Sequence, residues 1–213
     1  MKKLLSFCLV IALVFSLTAC AFTDKPETTV TKFCKALKTL DFDTASACFE
    51  SGKANFQLPS DEELAEIKEA LTEQDLAHFT KWIQEMTYTV GDAAVDGDTA
   101  TVPVTFTYVD AGPVLVEVLG EYITQAFGLA FSGADEAAVQ ELLRTILEEK
   151  LKTVETKTAT AEVEFVCVKC DDGWKIQALS EDAQKHLANI ISCNLIGTME
   201  DFVENMESSL DFG

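Results

Sequence analysis

Basic residues are scarce in this chain of 213 residues. It has 16 Lys and Arg against 36 Asp and Glu, which gives a formal net charge of −20 at pH 7. A surface this acidic repels nucleic-acid backbones and anionic headgroups, so we expect no nucleic-acid partner. Hydrophobic residues make up 48% of the chain. That content is enough for a sizeable core and is not typical of a disordered protein.

Histidine, the commonest general acid and base in enzymes, is also sparse. The only two histidines, His78 and His186, lie in predicted helical segments beside charged residues, and no orienting partner is evident for either. The sequence contains no nucleophile motif and no glycine-rich phosphate loop. We therefore predict that the protein is not an enzyme and has no cofactor.

The amino terminus carries an apolar run that is too short to cross a membrane. Residues Leu4 to Leu17 are apolar except for two serines, and they follow Lys2 and Lys3. A membrane-spanning helix needs about 20 such residues. A buried core helix would show amphipathic spacing, which this run lacks. A basic start, an apolar run and small residues at the cleavage site are instead typical of a secretory signal.

The residues that end this signal, Leu17-Thr18-Ala19-Cys20, closely resemble the lipobox of bacterial lipoproteins. The resemblance implies a diacylglyceryl group on the Cys20 sulfur and cleavage just before that residue. Residues 1–19 would then be the signal peptide, 20–27 a lipidated tether and 28–213 a single domain. Two acyl chains hold a protein on a membrane stably, whereas one chain does so only marginally. The expected location is the extracytoplasmic face of the cell membrane.

The cysteines could form a disulfide or be buried as free thiols. Of the seven, Cys8 leaves with the signal and Cys20 is the lipid acceptor. An odd number remains, so at least one thiol must be free, and burial as a small apolar residue is the alternative to a disulfide. Cys34 and Cys48 lie symmetrically about a predicted helical turn at 41–43, which makes them a candidate disulfide. The five that remain are Cys34, Cys48, Cys167, Cys170 and Cys193.

A zinc site is the other use that the cysteines suggest. Cys167 and Cys170 have Cys-x2-Cys spacing, and His186 with Cys193 would complete four ligands. However, no second close pair follows. On a strand the two thiols would point to opposite faces, with their Cα atoms about 10 Å apart. We therefore predict no metal site.

Hydrophobic periodicity predicts a mixed α+β chain. Apolar spacing near four residues predicts helices, and alternation predicts two strand hairpins whose turns contain glycine. The chain is predicted to begin with a helix hairpin from Thr28, followed by a helix that starts at a capping box of Ser60 and Glu63 and a further helical stretch recapped by Thr72 and Asp75. A strand hairpin around Asp96-Gly97-Asp98 comes next, and then a helical pair at about 113–154. The prediction ends with a strand hairpin around 170–173 and a helix from Ser180.

The sequence also predicts the local structural role of three single residues. Asp43 is predicted to cap the second helix of the first hairpin. Pro103 lies within an alternating strand, which indicates an edge position or a bulge. Gly197 is predicted to end the helix that begins at Ser180.

Residues 113–131 form an unusual predicted helix. Its strongly polar members, Glu117, Glu121 and Gln125, recur at i, i+4 and i+8 and so form one narrow stripe on an otherwise apolar helix. We expect the helix to be nearly buried, packed against the concave face of the sheet. A helix that contacts lipid is the alternative.

The segment AEVEFVCVKCDDGWKIQALSED, residues 161–182, resembles the closing hairpin of nuclear-transport-factor-2-like (cystatin-like superfamily) domains, in particular those of uncharacterised Gram-positive lipoproteins. The resemblance covers about residues 28–180. It implies a curved antiparallel sheet of about four strands packed against helices, with an apolar pocket. The helical pair at 113–154, between the second and third strands, departs from the compact fold and would fill or cover that pocket. Such a fold does not by itself imply a function.

Together these features predict a lipid-anchored extracytoplasmic protein that acts as a non-enzymatic binding or interaction module. Its partners would be the membrane, through Cys20, and a protein or a small apolar ligand. The first alternative is a carrier that holds a small apolar ligand in the pocket between sheet and helices. The second is an enzyme with a buried carboxylate in that pocket.

Overall fold

The computed structural model describes residues 25–55, 71–132 and 136–210. The predicted signal peptide, the predicted lipobox and the predicted capping box at Ser60 lie outside these residues. The helices are α1 (Pro26–Lys38), α2 (Phe42–Ser46), α3 (Glu73–Glu85), α4 (Gly112–Ser132), α5 (Glu136–Thr153), α6 (Glu181–Ile191) and α7 (Leu195–Leu210). The strands are β1 (Thr87–Val90), β2 (Ala94–Asp96), β3 (Thr99–Asp110), β4 (Lys157–Cys170) and β5 (Gly173–Ile176).

The strands form one curved antiparallel sheet in the order β1-β3-β4-β5, and β2 pairs with β3 beyond the end of β1. Its longest ladder joins β3 to β4, from Thr99 opposite Val168 to Asp110 opposite Lys157. The predicted fold class, an α+β protein whose curved antiparallel sheet packs against helices, is confirmed. The helical pair α4–α5 connects the two central strands, as the sequence predicted.

Pro103 lies in β3, a central strand, and therefore not at an edge. Its carbonyl oxygen accepts a hydrogen bond of 2.8 Å from the Gly91 N–H, in the segment that links β1 to β2. The nitrogen and carbonyl of a strand residue point to the same neighbour, so the missing N–H of Pro103 faces this interruption. The ladder between β3 and β4 therefore loses no hydrogen bond. The predicted edge position is therefore wrong. The irregular backbone lies in the facing segment between β1 and β2 and not in β3 itself.

The main core lies between one face of the sheet and helices α1 and α6. Phe33 of α1 is fully buried, and its ring centroid lies 5.3 Å from that of Phe165 and 5.5 Å from that of Phe49. The inward side chains of β3 and β4 are buried against these rings, namely Ala100, Val102, Val104, Phe106, Val163, Phe165 and Cys167. The sheet face where the family resemblance implies a pocket is thus lined by side chains that pack into the core.

A second, smaller core lies among the helices. It joins α4 and α5 to Trp82 of α3 and to Cys193, which lies two residues before α7. Helix α4 packs mainly against α5 and α7. The prediction that α4 covers the concave face of the sheet is therefore wrong, because α1 and α6 occupy that position.

Two local predictions are also corrected. Asp41, not Asp43, caps α2, since its carboxylate accepts a hydrogen bond of 3.0 Å from the Thr44 N–H. Gly197 lies inside α7, and the chain breaks instead at Cys193 and Asn194, whose φ angles are 52° and 65°. By contrast, Thr72 and Asp75 form the predicted reciprocal cap of α3.

Candidate interaction surface

The start of α4 is held in place by the turn before α7. The Asp110 carboxylate accepts hydrogen bonds from the Gly112 N–H, at 3.0 Å, and from the Asn194 side-chain amide, at 2.9 Å. The Ala111 N–H donates to the carbonyl of Cys193 at 2.9 Å. A side chain at Gly112 would collide with the Thr198 side chain, so the glycine allows α4 to approach α7 closely.

One side of α4 belongs to the second core. Val114 and Val118 are 3% and 4% exposed, and they pack in the cluster that contains Trp82, Ile146 and Leu151. Burying an aliphatic side chain of this size contributes about 1.5–3 kcal/mol to stability. The first two turns of α4 are therefore an integral part of the domain.

The polar stripe of α4 is engaged by the neighbouring helix. Lys150 of α5 places its Nζ atom 2.7 Å from a carboxylate oxygen of Glu121 and 3.7 Å from one of Glu117. The Gln125 side-chain amide donates to the other Glu121 oxygen at 2.8 Å. The pKa of Lys150 is raised, chiefly by its hydrogen bond with Glu121. The polar stripe thus joins α4 to α5.

A different side of α4 exposes large apolar side chains, which we call the α4 apolar row. Its members are Val116, Ile123, Phe127 and Phe131, which are 53%, 37%, 65% and 91% exposed. They recur at i, i+7, i+11 and i+15, so they share one side of the helix. Contiguous apolar side chains on a protein surface commonly mark an interaction site. Within the described residues, no helix has the length and apolar character needed to cross a membrane.

Cys34 and Cys48, the candidate disulfide pair, both lie in the main core. Both are buried free thiols, and the Cys48 thiol donates a hydrogen bond of 3.3 Å to the Thr44 carbonyl. Burial raises the pKa of the Cys34 thiol, and the nearby Cys48 raises it further. The disulfide between them is not formed in the structure and stays a prediction. Cys20, the predicted lipidation site, lies outside the described residues.

The four residues weighed for zinc are not brought together. Cys167 lies in the main core and Cys193 in the second, while Cys170 is partly exposed at the end of the last hairpin. Burial raises the pKa of both Cys167 and Cys193 to about 12, so these thiols stay protonated at neutral pH. Across residues 25–55, 71–132 and 136–210, no three His, Cys, Asp or Glu side chains are grouped so as to hold a metal ion.

Two carboxylates are relevant to the enzyme alternative. Asp75 is 3% exposed, but it serves the cap of α3 and accepts a hydrogen bond of 2.6 Å from the Thr72 hydroxyl. Glu27, which sequence analysis did not single out, accepts a hydrogen bond of 3.1 Å from the Ala93 N–H. Its other carboxylate oxygen is buried and has no hydrogen-bond partner among the described residues. No motif surrounds Glu27 in the sequence, so only the fold reveals its setting.

Comparison with known proteins identifies no family for this chain. No family model matches it, and no curated protein matches it. A similarity search of solved structures finds ycdA from Bacillus subtilis subsp. subtilis str. 168, described as a candidate lipoprotein. The two are 18% identical, the match covers 76% of this chain, and the TM-score is 0.32. The matched region spans only 57% of that neighbour's chain. Likeness at this level carries no argument about function.

Proposed function

We propose that this protein is a lipid-anchored extracytoplasmic interaction module, without catalytic activity, that binds a protein partner through the α4 apolar row. One observation carries the proposal. The four apolar side chains of the row are exposed, while the acidic side chains of the same helix pair with Lys150. A helix that served only the core would bury its apolar residues and leave its acidic residues in water.

The composition of the row suits protein recognition. Two of its four members are phenylalanines, Phe127 and Phe131, and they are its most exposed side chains. Aromatic side chains are enriched in protein interfaces. An apolar helix side with this spacing also fits the mode in which a helix lies in an apolar groove of its partner. Each phenylalanine buried on binding would contribute about 1.5–3 kcal/mol before the costs of association.

A bilayer suits the row less well than a protein does. Helices that lie in a membrane interface usually carry Lys and Arg on their polar face. Helix α4 has neither residue, and its polar stripe holds Glu117 and Glu121. The net charge of −20 also repels anionic lipids. Membrane attachment is therefore assigned to the lipid on Cys20 and partner binding to the α4 row.

The two alternatives find less support in the described residues. A carrier needs an open cavity of about 300 Å³ or more, whereas the inward side chains of β3 and β4 pack against Phe33 and its neighbours. An enzyme needs groups that converge on a substrate. The buried Asp75 is used in a helix cap. The ionisable neighbour of Glu27 is the Cys167 thiol, whose pKa burial and the Glu27 charge raise to about 12, so that it stays protonated.

The anchor is tested by replacing the lipid acceptor. Cys20→Ser removes the sulfur that would receive the diacylglyceryl group, so the precursor should remain uncleaved and unlipidated. Intact-mass measurement of the membrane fraction decides the matter. A diacylated, cleaved mature chain from this variant would show that the lipobox interpretation is wrong.

The binding surface is tested by crosslinking in cells that make the protein. A photoreactive phenylalanine analogue replaces Phe127 or, as a control, the exposed Thr105 on β3. We expect a specific protein adduct from position 127 and none from position 105, and the substitutions Ile123→Ser and Phe131→Ser should weaken it. Adducts with lipid alone would favour membrane contact. Equal adducts at both positions, or none, would rule out the α4 row as a binding surface.

A further inference from the structure

Helix α7 carries a second exposed apolar row. Its members are Ile196, Met199, Val203 and Met206, which are 45%, 40%, 42% and 47% exposed. They recur at i, i+3, i+7 and i+10, so they share one side of the helix. Helix α7 is attached to the domain by Leu195, which packs on the second core, and by Thr198, which lies against Gly112. The α7 apolar row borders this attached side, yet each of its four members remains at least 40% exposed.

An acidic strip runs beside this row. The strip consists of Glu200, Glu204 and Glu207. Helix α7 also contains Asp201 and has no Lys or Arg. Glu200 follows Ile196 by four residues and Glu207 follows Val203 by four, so each acid lies about 40° around the helix from a member of the row. Lys185 of α6 pairs with Glu200 at 3.3 Å. Within the described residues, Glu204 and Glu207 form no ion pair, which leaves the strip negative.

We propose that the α7 row and its acidic strip bind a cationic amphipathic helix, whose apolar side is flanked by Lys or Arg. The apolar side of such a helix would cover the row while its cations face Glu204 and Glu207. Methionine suits this use, because its flexible thioether side chain adapts to partners of different shape. This inference does not depend on the α4 row, since it concerns a different helix and a different class of partner.

Electrostatic repulsion disfavours the other candidate partners of the α7 apolar row. A second copy of this chain would bring the same acidic strip and a net charge of −20, so the two copies would repel each other. An anionic bilayer would be repelled for the same reason. A cationic helix gains attraction during approach as well as apolar burial on contact.

The test uses the full lipidated protein in nanodiscs of phosphatidylcholine. A photoreactive phenylalanine analogue replaces Val203, and the probe is a synthetic amphipathic helix of Leu and Lys about 18 residues long. A peptide of the same pattern with Glu in place of Lys is the matched control. We expect the Lys peptide to give at least about five times the crosslink yield of the Glu peptide, and the excess should shrink at high salt. Equal yields from the two peptides would overturn the proposal.

Charge variants separate this surface from the net charge of the protein. Glu200→Gln with Glu204→Gln and Glu207→Gln removes the strip, and it should lower the yield of the Lys peptide about fivefold or more. The control set, Glu155→Gln with Glu162→Gln and Glu164→Gln, removes three exposed charges away from α7 and should leave the yield unchanged. An equal loss in both sets would show general electrostatic attraction and overturn the assignment to α7. No loss in the first set would overturn it as well.

Discussion

The Nζ atom of Lys150 on α5 lies 2.7 Å from a carboxylate oxygen of Glu121 on α4. The Lys150 side chain is only 17% exposed, so much of its surface contacts protein rather than water. The same nitrogen is 3.7 Å from Glu117, and one cation therefore serves two acids on successive turns of the neighbouring helix. This contact fixes how α4 is rotated, because it draws the polar stripe toward α5.

Replacing this lysine should loosen the helical pair. Lys150→Met keeps much of the side-chain length but leaves Glu117 and Glu121 without their cation, so we expect a lower melting temperature. Lys152→Met is the matched control, because Lys152 is exposed and forms no ion pair in the described part of the chain. The difference between the variants should narrow in high salt, which screens the contact. Equal melting temperatures at low salt would contradict a stabilising role for Lys150.

The two sides of α4 should respond oppositely to polar substitutions. Val118→Asp places a charge in the second core and should lower the free energy of unfolding by more than about 3 kcal/mol or prevent folding. Phe127→Ser removes an exposed side chain and should change it by less than about 0.5 kcal/mol. Urea denaturation of the chain from residue 21 onward measures both. A large loss from Phe127→Ser would show that the α4 row is covered within the protein.

Local features of the fold were predictable because their causes lie close together in the sequence. The turn Asp96-Gly97-Asp98 is found where alternation on both sides predicts it, and Gly97 has the positive φ, 61°, that such a turn requires. Ser180 caps α6 through a hydrogen bond of 3.2 Å from the Ala183 N–H. In these cases the residue and its partner are at most a few positions apart.

The orientation of α4 was not predictable in the same way. Spacing shows that Glu117, Glu121 and Gln125 share a side of the helix, but not what that side faces. The partner, Lys150, lies on another helix and is one of several basic residues there. The sheet face assigned to α4 is instead taken by α1 and α6, whose apolar residues are equally compatible with it. The candidate surface thus became evident only from packing.

Substitution by alanine should destabilise the protein at Gly91 and stabilise it at Gly120. A Cβ atom at Gly91 would lie 2.9 Å from the Pro103 Cγ and 3.3 Å from its carbonyl oxygen. Gly91→Ala should therefore cost about 1–3 kcal/mol. A Cβ atom at Gly120, in α4, meets nothing within 4 Å, so Gly120→Ala should stabilise by about 0.5–1 kcal/mol. Chemical denaturation of both variants tests this. A neutral Gly91→Ala would show that the segment between β1 and β2 adjusts freely.

Thiol reactivity should follow burial. In native reduced protein at pH 8, iodoacetamide should modify the partly exposed Cys170 well before Cys167 and Cys193. Burial raises the pKa of the latter two from 9.0 to about 12. The folded state therefore retains protons that the unfolded state loses above pH 9, and these groups should reduce stability as pH rises from about 9 toward 12. Peptide mapping over time gives the order, and similar rates at all three positions would contradict it.

Oxidation should join Cys34 to Cys48. Both thiols are buried, and each lies in the packed region of α1 and α2. A bridge across a loop of about 15 residues would stabilise by roughly 3 kcal/mol in the chain-entropy model. Non-reducing peptide mapping after mild oxidation detects the linked peptides, and the melting temperature should rise with their yield. Alkylation of both thiols in the oxidised native protein, with no linked peptide, would contradict the bridge. Both cysteines would then be unpaired residues that are buried as small apolar side chains.

The long β3–β4 ladder bears on the speed of folding. Asp110 and Lys157 are paired at its end, yet residues 111–156 separate them in the chain. Closing a flexible segment of that length costs entropy before any strand pairing compensates for it. Helices form faster than distant strands pair. If α4 and α5 dock early, they bring β3 and β4 into register at their adjoining ends, and the ladder can then form from Asp110 and Lys157 toward the hairpin turns. The helical pair would in this way shorten the search for the central strand pairing as well as display the α4 apolar row.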